Sequence, residues 1–176
     1  MKNLTPHTVV VRDTAGVDHT YPPSGTVARV GMRSTPSAAL EDGTPTSRVE
    51  YGRAELPPIE LPEGVRRVVS YMHFGGGRRL TRPIYVRAPS SASVSAQSSS
   101  HRSTLTIDGV EYVGAACDAF LVEVDRRYIV STMFADAYRA QHEGDEDDAV
   151  LFVPDSGPSA IRENGQIVAV RSLIRR

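Results

Sequence analysis

Short runs of β-branched and alternating residues, cut by glycine- and proline-bearing turns, fill most of this 176-residue chain. Residues 7–12, His7-Thr8-Val9-Val10-Val11-Arg12, predict a strand because branched side chains pack well on a pleated surface. Asp13-Thr14-Ala15-Gly16 predicts a turn, and His19-Thr20-Tyr21 a short returning strand. Pro22-Pro23-Ser24-Gly25 breaks the chain before a third strand at 26–30. Residues 33–47 are polar and turn-rich, which predicts a loop. Residues 47–51 alternate like a half-buried strand. Three prolines between 56 and 62 impose an extended connection.

The pattern resumes at 65–72, reaches Gly75-Gly76-Gly77, and returns at 83–87. The stretch 89–103 is serine-rich with few apolar residues and predicts a flexible loop or linker. Two alternating runs flank Asp108-Gly109 in 104–113. They predict a hairpin with a type I′ turn, whose positive φ angles suit Asp and Gly. Strands are expected at 120–124 and 128–131. Met133, Phe134, Ala137 and Tyr138 recur at helical spacing and place one short helix at 132–142. An acidic solvated loop follows at 143–148, then closing strands at 150–153 and 166–170, the second preceded by an Asn164-Gly165 turn.

The segment Arg66-Arg67-Val68-Val69-Ser70-Tyr71-Met72 echoes Arg126-Arg127-Tyr128-Ile129-Val130-Ser131-Thr132-Met133. The echo is too short to define a repeat, but it brackets an expected insertion at 66–125 within a single domain of residues 1–176. The fold expected is mainly β, in the α+β class. It consists of a small antiparallel or mixed sheet or barrel, one short helix and an inserted β-hairpin. The first and last strands are expected side by side.

Composition adds limits rather than a function. Hydrophobic residues make up 40% of the chain and charged residues 23%, the profile of a globular domain with a buried core. No apolar run is long enough for a membrane-spanning helix, and Met1-Lys2-Asn3-Leu4-Thr5-Pro6 has no apolar signal core. A cytosolic location in the producing cell is therefore expected. Cys117 is the single cysteine, which rules out an intrachain disulfide and a cysteine-based metal cluster. The net charge of −1 hides an asymmetry. Residues 1–88 carry +4 and residues 89–176 carry −5, and all basic side chains but Lys2 are arginines.

Candidate chemistry concentrates on anion binding. His7, at the entrance to the first strand, could join Thr5 and Arg29 around a phosphate or carboxylate, although capping the sheet is the simpler role for Thr-Pro-His at a strand start. Ser24 lies in a tight turn that either forms an anion-binding nest or is plain turn chemistry. His73, Arg78 and Arg79 flank the triple glycine, and seven arginines but no acidic residue occur from Gly64 to Ile107. Glycines admit a phosphate to the backbone and guanidinium forks grip it in two places. A hairpin tip would look the same. The segment lacks the Gly-Lys-Ser/Thr of a P-loop and the glycine spacing of a dinucleotide fingerprint, and no cofactor is implied. The five histidines show no ligand spacing, and Asp145, Asp147 and Asp148 lack the glycine and terminal glutamate of a calcium loop. No Gly-x-Ser-x-Gly elbow is present, and Asp155-Ser156-Gly157 reads as a turn.

Several phrases together carry a family resemblance. They are Asn3-Leu4-Thr5-Pro6-His7, then Pro22-Pro23-Ser24-Gly25-Thr26-Val27-Ala28-Arg29-Val30, then Tyr51-Gly52 with Leu56-Pro57. Tyr128-Ile129-Val130-Ser131, Pro154-Asp155-Ser156-Gly157 and Gly165-Gln166-Ile167-Val168-Ala169-Val170-Arg171 complete the set. The chain resembles small, mostly uncharacterised proteins of bacteriophages and prophages, particularly of actinobacteria, over roughly residues 1–64 and 126–173. That resemblance implies a phage setting and brings no catalytic residues. The function expected is a non-catalytic accessory protein that binds an anionic ligand or host component, including sequestration of a nucleotide immune signal. The alternatives are a virion head or tail subunit, which would make partners of its own copies or neighbouring subunits, and a phosphodiester hydrolase.

Overall fold

The computed structural model describes residues 1–143 and 147–176; Gly144, Asp145 and Glu146, part of the expected acidic loop, lie outside the described residues. The first strands are β1 (Lys2–Asn3), β2 (Val9–Arg12), β3 (Asp18–Tyr21), β4 (Met32–Ser37) and β5 (Thr46–Tyr51). Next come β6 (Val65–His73), β7 (Arg79–Arg87), β8 (Val94–Ser99), β9 (Ser103–Ile107) and β10 (Val110–Val113), followed by the helical turn α1 (Ala115–Asp118). The chain ends with β11 (Arg127–Ile129), helix α2 (Thr132–Gln141), β12 (Val150–Pro154), β13 (Ile161–Glu163), β14 (Gln166–Ala169) and β15 (Leu173–Arg175). With 44% strand and 8% helix the protein is mainly β, built from several small sheets with no closed barrel among the described residues. No described helix is long and apolar enough to cross a membrane.

The chain divides into two compact units. The first comprises Met1–Pro58, Arg126–Glu143 and Ala149–Arg176; the second comprises Ile59–Asp125 with Asp147 and Asp148. In the first unit a four-stranded sheet has the order β1-β11-β12-β15, with parallel pairs at β1–β11 and β11–β12. Helix α2 covers it. Ser131 caps the helix by accepting the Phe134 N–H at 3.3 Å, and Phe134, Ala135, Ala137 and Tyr138 turn inward onto Leu4, Tyr128, Val130, Leu151 and Val153. At the far end of α2, Gln141 clamps a neighbouring segment. Its Oε1 accepts the Ala54 N–H and its Nε2 donates to the Gly52 carbonyl, each at 2.9 Å.

The expected pairing of the first and last strands is met only in part. Strands β1 and β15 are opposite edges of the four-stranded sheet, separated by β11 and β12, whereas β2 pairs only with β3 and β14 only with β13 as ladders. A bridge between Val11 and Val170 joins those two hairpins: Arg12 N–H donates to Val170 O at 2.8 Å, and Val170 N–H to Val10 O at 2.9 Å.

Asn3 sits at the junction, only 2% exposed. Its Nδ2 donates to the carbonyls of His7 and Tyr21, both at 2.8 Å, and its Oδ1 accepts from the Thr5 N–H and the Thr5 hydroxyl. Its backbone carbonyl accepts the Ser24 N–H at 2.9 Å. All side-chain capacity of a buried amide is thus matched.

The second unit is a five-stranded sheet in the order β10-β9-β8-β6-β7. The expected hairpin at 104–113 is β9–β10, with Asp108 at φ 49° and Gly109 at φ 81° in its turn. One face holds Val68, Ile84, Val86, Val94, Ala96, Leu105 and Ile107 against Cys117 and Phe120.

Four local expectations are corrected. The serine-rich stretch 89–103 is not a free loop. Its centre is β8, bonded to β6 on one side and β9 on the other. Val94 and Ala96 turn toward the apolar cluster, so pairing on both edges outweighs serine's weak strand preference. Residues 33–47 are not all loop, because β4 pairs with β5 throughout its six residues. Residues 26–30 form no ladder; the segment is held by the Ala28 N–H donating to Leu4 O at 2.9 Å and by burial of Ala28. The strand expected at 120–124 reduces to one bridge, Val86–Leu121, because α1 turns the chain immediately before it.

Asn3→Ala is expected to lower the unfolding free energy by about 1–3 kcal/mol, since it takes the side-chain partner from the part-buried Tyr21 carbonyl and Thr5 N–H. Urea denaturation of the variant measures this directly.

Candidate functional site

Strand alternation divides the side chains of the second unit's sheet between two faces. Val68, Ser70 and Met72 of β6 register with Ile84, Arg82 and Leu80 of β7 on the face that carries the apolar cluster. The intervening residues fall on the other face: Val65, Val69, Pro83 and Tyr85 make half of it apolar and largely buried, while Tyr71 and His73 of β6 with Arg79 and Thr81 of β7 form its polar end beside the β6–β7 turn. Gln97 and Ser99 of β8 extend it, opposite Tyr71 and His73. His73 and Arg79 are direct cross-strand partners, and Tyr71 is diagonal to Arg79.

The geometry at that end of the sheet is specific. The guanidinium carbon of Arg79 lies 3.8 Å from the centroid of the Tyr71 ring. Such stacking fixes the plane of the fork while its N–H donors, which lie in that plane, stay directed outward. The β6–β7 connection closes with the Phe74 N–H donating to Arg78 O at 3.0 Å. Gly76 and Gly77 take φ of 89° and 76°, a region closed to most side chains, so the triple glycine makes the tight turn that sets His73 against Arg79. His73, Arg78 and Arg79 are all exposed.

Other arginines of the acid-free segment have structural work. Arg66 donates to the carbonyls of Pro89 and Ala92, and Arg102 pairs with Glu111 at 2.6 Å. The second pair neutralises the one acidic residue that β10 contributes to the sheet.

The other expected site residues lie in the first unit. His7 is exposed, and its carbonyl accepts from Asn3 and from the Thr5 hydroxyl. The Ser24 N–H, a would-be nest donor, goes to Asn3 O, and the Ser24 hydroxyl donates to Thr26 O at 3.2 Å. His7 and Ser24 are therefore tied to one hub through their backbones. Arg29 is exposed, and among the described residues no hydrogen bond joins it to either.

Tyr71 is the residue that sequence reasoning missed. The signal was present: folding the chain about Gly75-Gly76-Gly77 opposes His73 to Arg79 and puts Tyr71 one diagonal away. Among the described residues no group of three His, Cys, Asp or Glu is placed to hold a metal ion. Cys117 is buried, its thiol directed to the Tyr112 carbonyl at 2.9 Å. What the arrangement can do chemically is hold a negative charge beside an aromatic ring. Comparison with protein-family models, with curated proteins and with solved structures finds no match.

The clearest charge pairs lie on the β2–β3 hairpin. Arg12 grips Asp18 in two places, at 2.7 and 2.8 Å, and His19 Nε2 meets Asp13 Oδ2 at 3.0 Å. The hydrogen bond from Arg12 lowers the Asp18 pKa, and that from His19, reinforced by the Val17 N–H, lowers that of Asp13. Both carboxylates therefore favour the hairpin above the ordinary aspartate pKa, and the contribution is lost as pH falls through their depressed folded values. Carboxyl-carbon NMR titration should find both midpoints below the usual aspartate range, with Arg12→Ala returning Asp18 toward it.

Proposed function

We propose that this protein is a non-catalytic bacteriophage accessory protein that binds an anionic, phosphate-bearing ligand at the polar end of one face of its five-stranded sheet. The observation that carries the reading is the Arg79 guanidinium held over the Tyr71 ring at 3.8 Å, with His73 as its cross-strand partner. A stacked guanidinium loses less freedom on gripping a phosphate than a free one, and β6, β7 and β8 contribute no acidic side chain to compete for it. Tyr71 beside it offers apolar area to a nucleobase, which favours nucleotides over bare phosphate. Sequestering such a ligand needs affinity and no acid–base pair. The phage setting rests on the resemblance carried by the terminal phrases.

A virion head or tail subunit is the second reading. It is favoured by the β4–β5 ribbon, along which nearly every residue is exposed, Met32 at 61% and Tyr51 at 49% included. A projecting ribbon of this kind is suited to contacts with neighbouring subunits. Mass spectrometry of purified particles separates the two readings by the protein's stoichiometry there.

Calorimetric titration of the full chain with cyclic and linear nucleotides tests the first reading. Binding should weaken as salt is added, and Arg79→Ala should weaken it by about tenfold or more. The absence of heat with every nucleotide at millimolar concentration would overturn it. Binding that survives Arg79→Ala and fails in Arg29→Ala would move the site to the first unit.

A further inference from the structure

Strands β4 and β5 form a two-stranded sheet of their own, and such a ribbon is marginal in water without further strands or a covered face. Its two edges are not equivalent. The Gly52 N–H donates to Gly31 O at 2.8 Å, which makes Gly31–Gly52 a hydrogen-bonded pair. Antiparallel pairs alternate, so Arg33–Glu50 and Thr35–Arg48 bond across the ribbon, whereas Met32–Tyr51, Ser34–Val49 and Pro36–Ser47 direct their backbone groups outward. On β4 that outward row includes Pro36, which has no N–H to give. On β5 it consists of Ser47, Val49 and Tyr51, all exposed, each with a free donor and acceptor direction.

We infer that the outer edge of β5 is a docking edge for β5 of a second copy of this chain, forming a four-stranded antiparallel sheet about a two-fold axis. Outward residues must face outward residues, so the admissible registers differ in steps of one residue on either side of the axis. Placing Arg48 on the axis opposes it to the partner's Arg48, and placing Glu50 there opposes two carboxylates. Both arrangements set like charges directly across. Placing Val49 on the axis opposes Val49 to itself and Arg48 to the partner's Glu50, twice. Each Glu50 then lies between Arg33 of its own ribbon and Arg48 of the other. On the other face of the same register Val49 meets the partner's Val49, and each Tyr51 covers the partner's Ser47 in a row that ends in Met32 on one copy and Pro36 on the other. Charge complementarity thus selects both the occupant and the register.

Sedimentation equilibrium of the full chain tests the pairing. A dimer is expected at about 100 µM, where a modest interface is populated. Arg48→Glu and Glu50→Arg should each weaken association by about tenfold or more, with an unchanged circular dichroism spectrum. An equimolar mixture of these two variants should re-form the dimer, since it restores opposite charges at both cross-pairs. Val49→Pro removes an outward N–H while leaving the ribbon's own bonds in place, and should also give a monomer. A monomeric wild type, a mixture that stays monomeric, or a dimer indifferent to both Glu50→Arg and Val49→Pro would overturn the inference. An association through the ribbon's apolar face would produce the last of these.

Discussion

The first unit depends on one buried amide. Strand β1 is only two residues long and is too short to hold its parallel register on β11 by ladder bonds alone. Asn3 supplies what the ladder lacks. Its amide joins the turn that follows β1 to the end of β3, its carbonyl fixes Ser24, and the next residue, Leu4, enters the core at 1% exposure. The site needs two donors and a twice-used acceptor at one short reach. Aspartate has no donors, and glutamine's extra methylene would displace the head group. The phrase Asn-Leu-Thr-Pro-His therefore has a physical reading that requires no ligand.

The second unit works on a different principle. Its apolar face is closed by α1 and the Cys117–Phe120 turn, while the polar end of its other face spends aromatic and cationic side chains on each other. Burial organises the first unit around a saturated amide. Stacking organises that polar end around a guanidinium that retains its hydrogen-bonding capacity. The first arrangement consumes the polar capacity of its amide and the second leaves guanidinium donors available, which is why binding is proposed for the second.

Much of this architecture is legible in the residues themselves. The hairpin at Asp108-Gly109 and the turn at Asn164-Gly165 are dictated by backbone angles that few residues adopt, and both occur with positive φ. Helix α2 announced itself through Phe134, Ala137 and Tyr138. What the sequence hid were elements whose state is decided by neighbours. Serines of β8 are indifferent to strand geometry until β6 and β9 bracket them, and Leu121 pairs only where α1 delivers it. For the candidate site the arginines and glycines were visible by type. Tyr71 was not, because its role comes from diagonal placement across a hairpin rather than from any local pattern.

Pro36 carries a consequence beyond its own strand. An unprotected ribbon with two receptive edges could add copies without limit, in the manner of a fibril. The missing N–H leaves a gap in the outward row of β4, so a strand added on that side would lack one ladder bond that the β5 side can supply. Lateral growth is thereby disfavoured on one margin of the ribbon by a single imino ring in a six-residue strand.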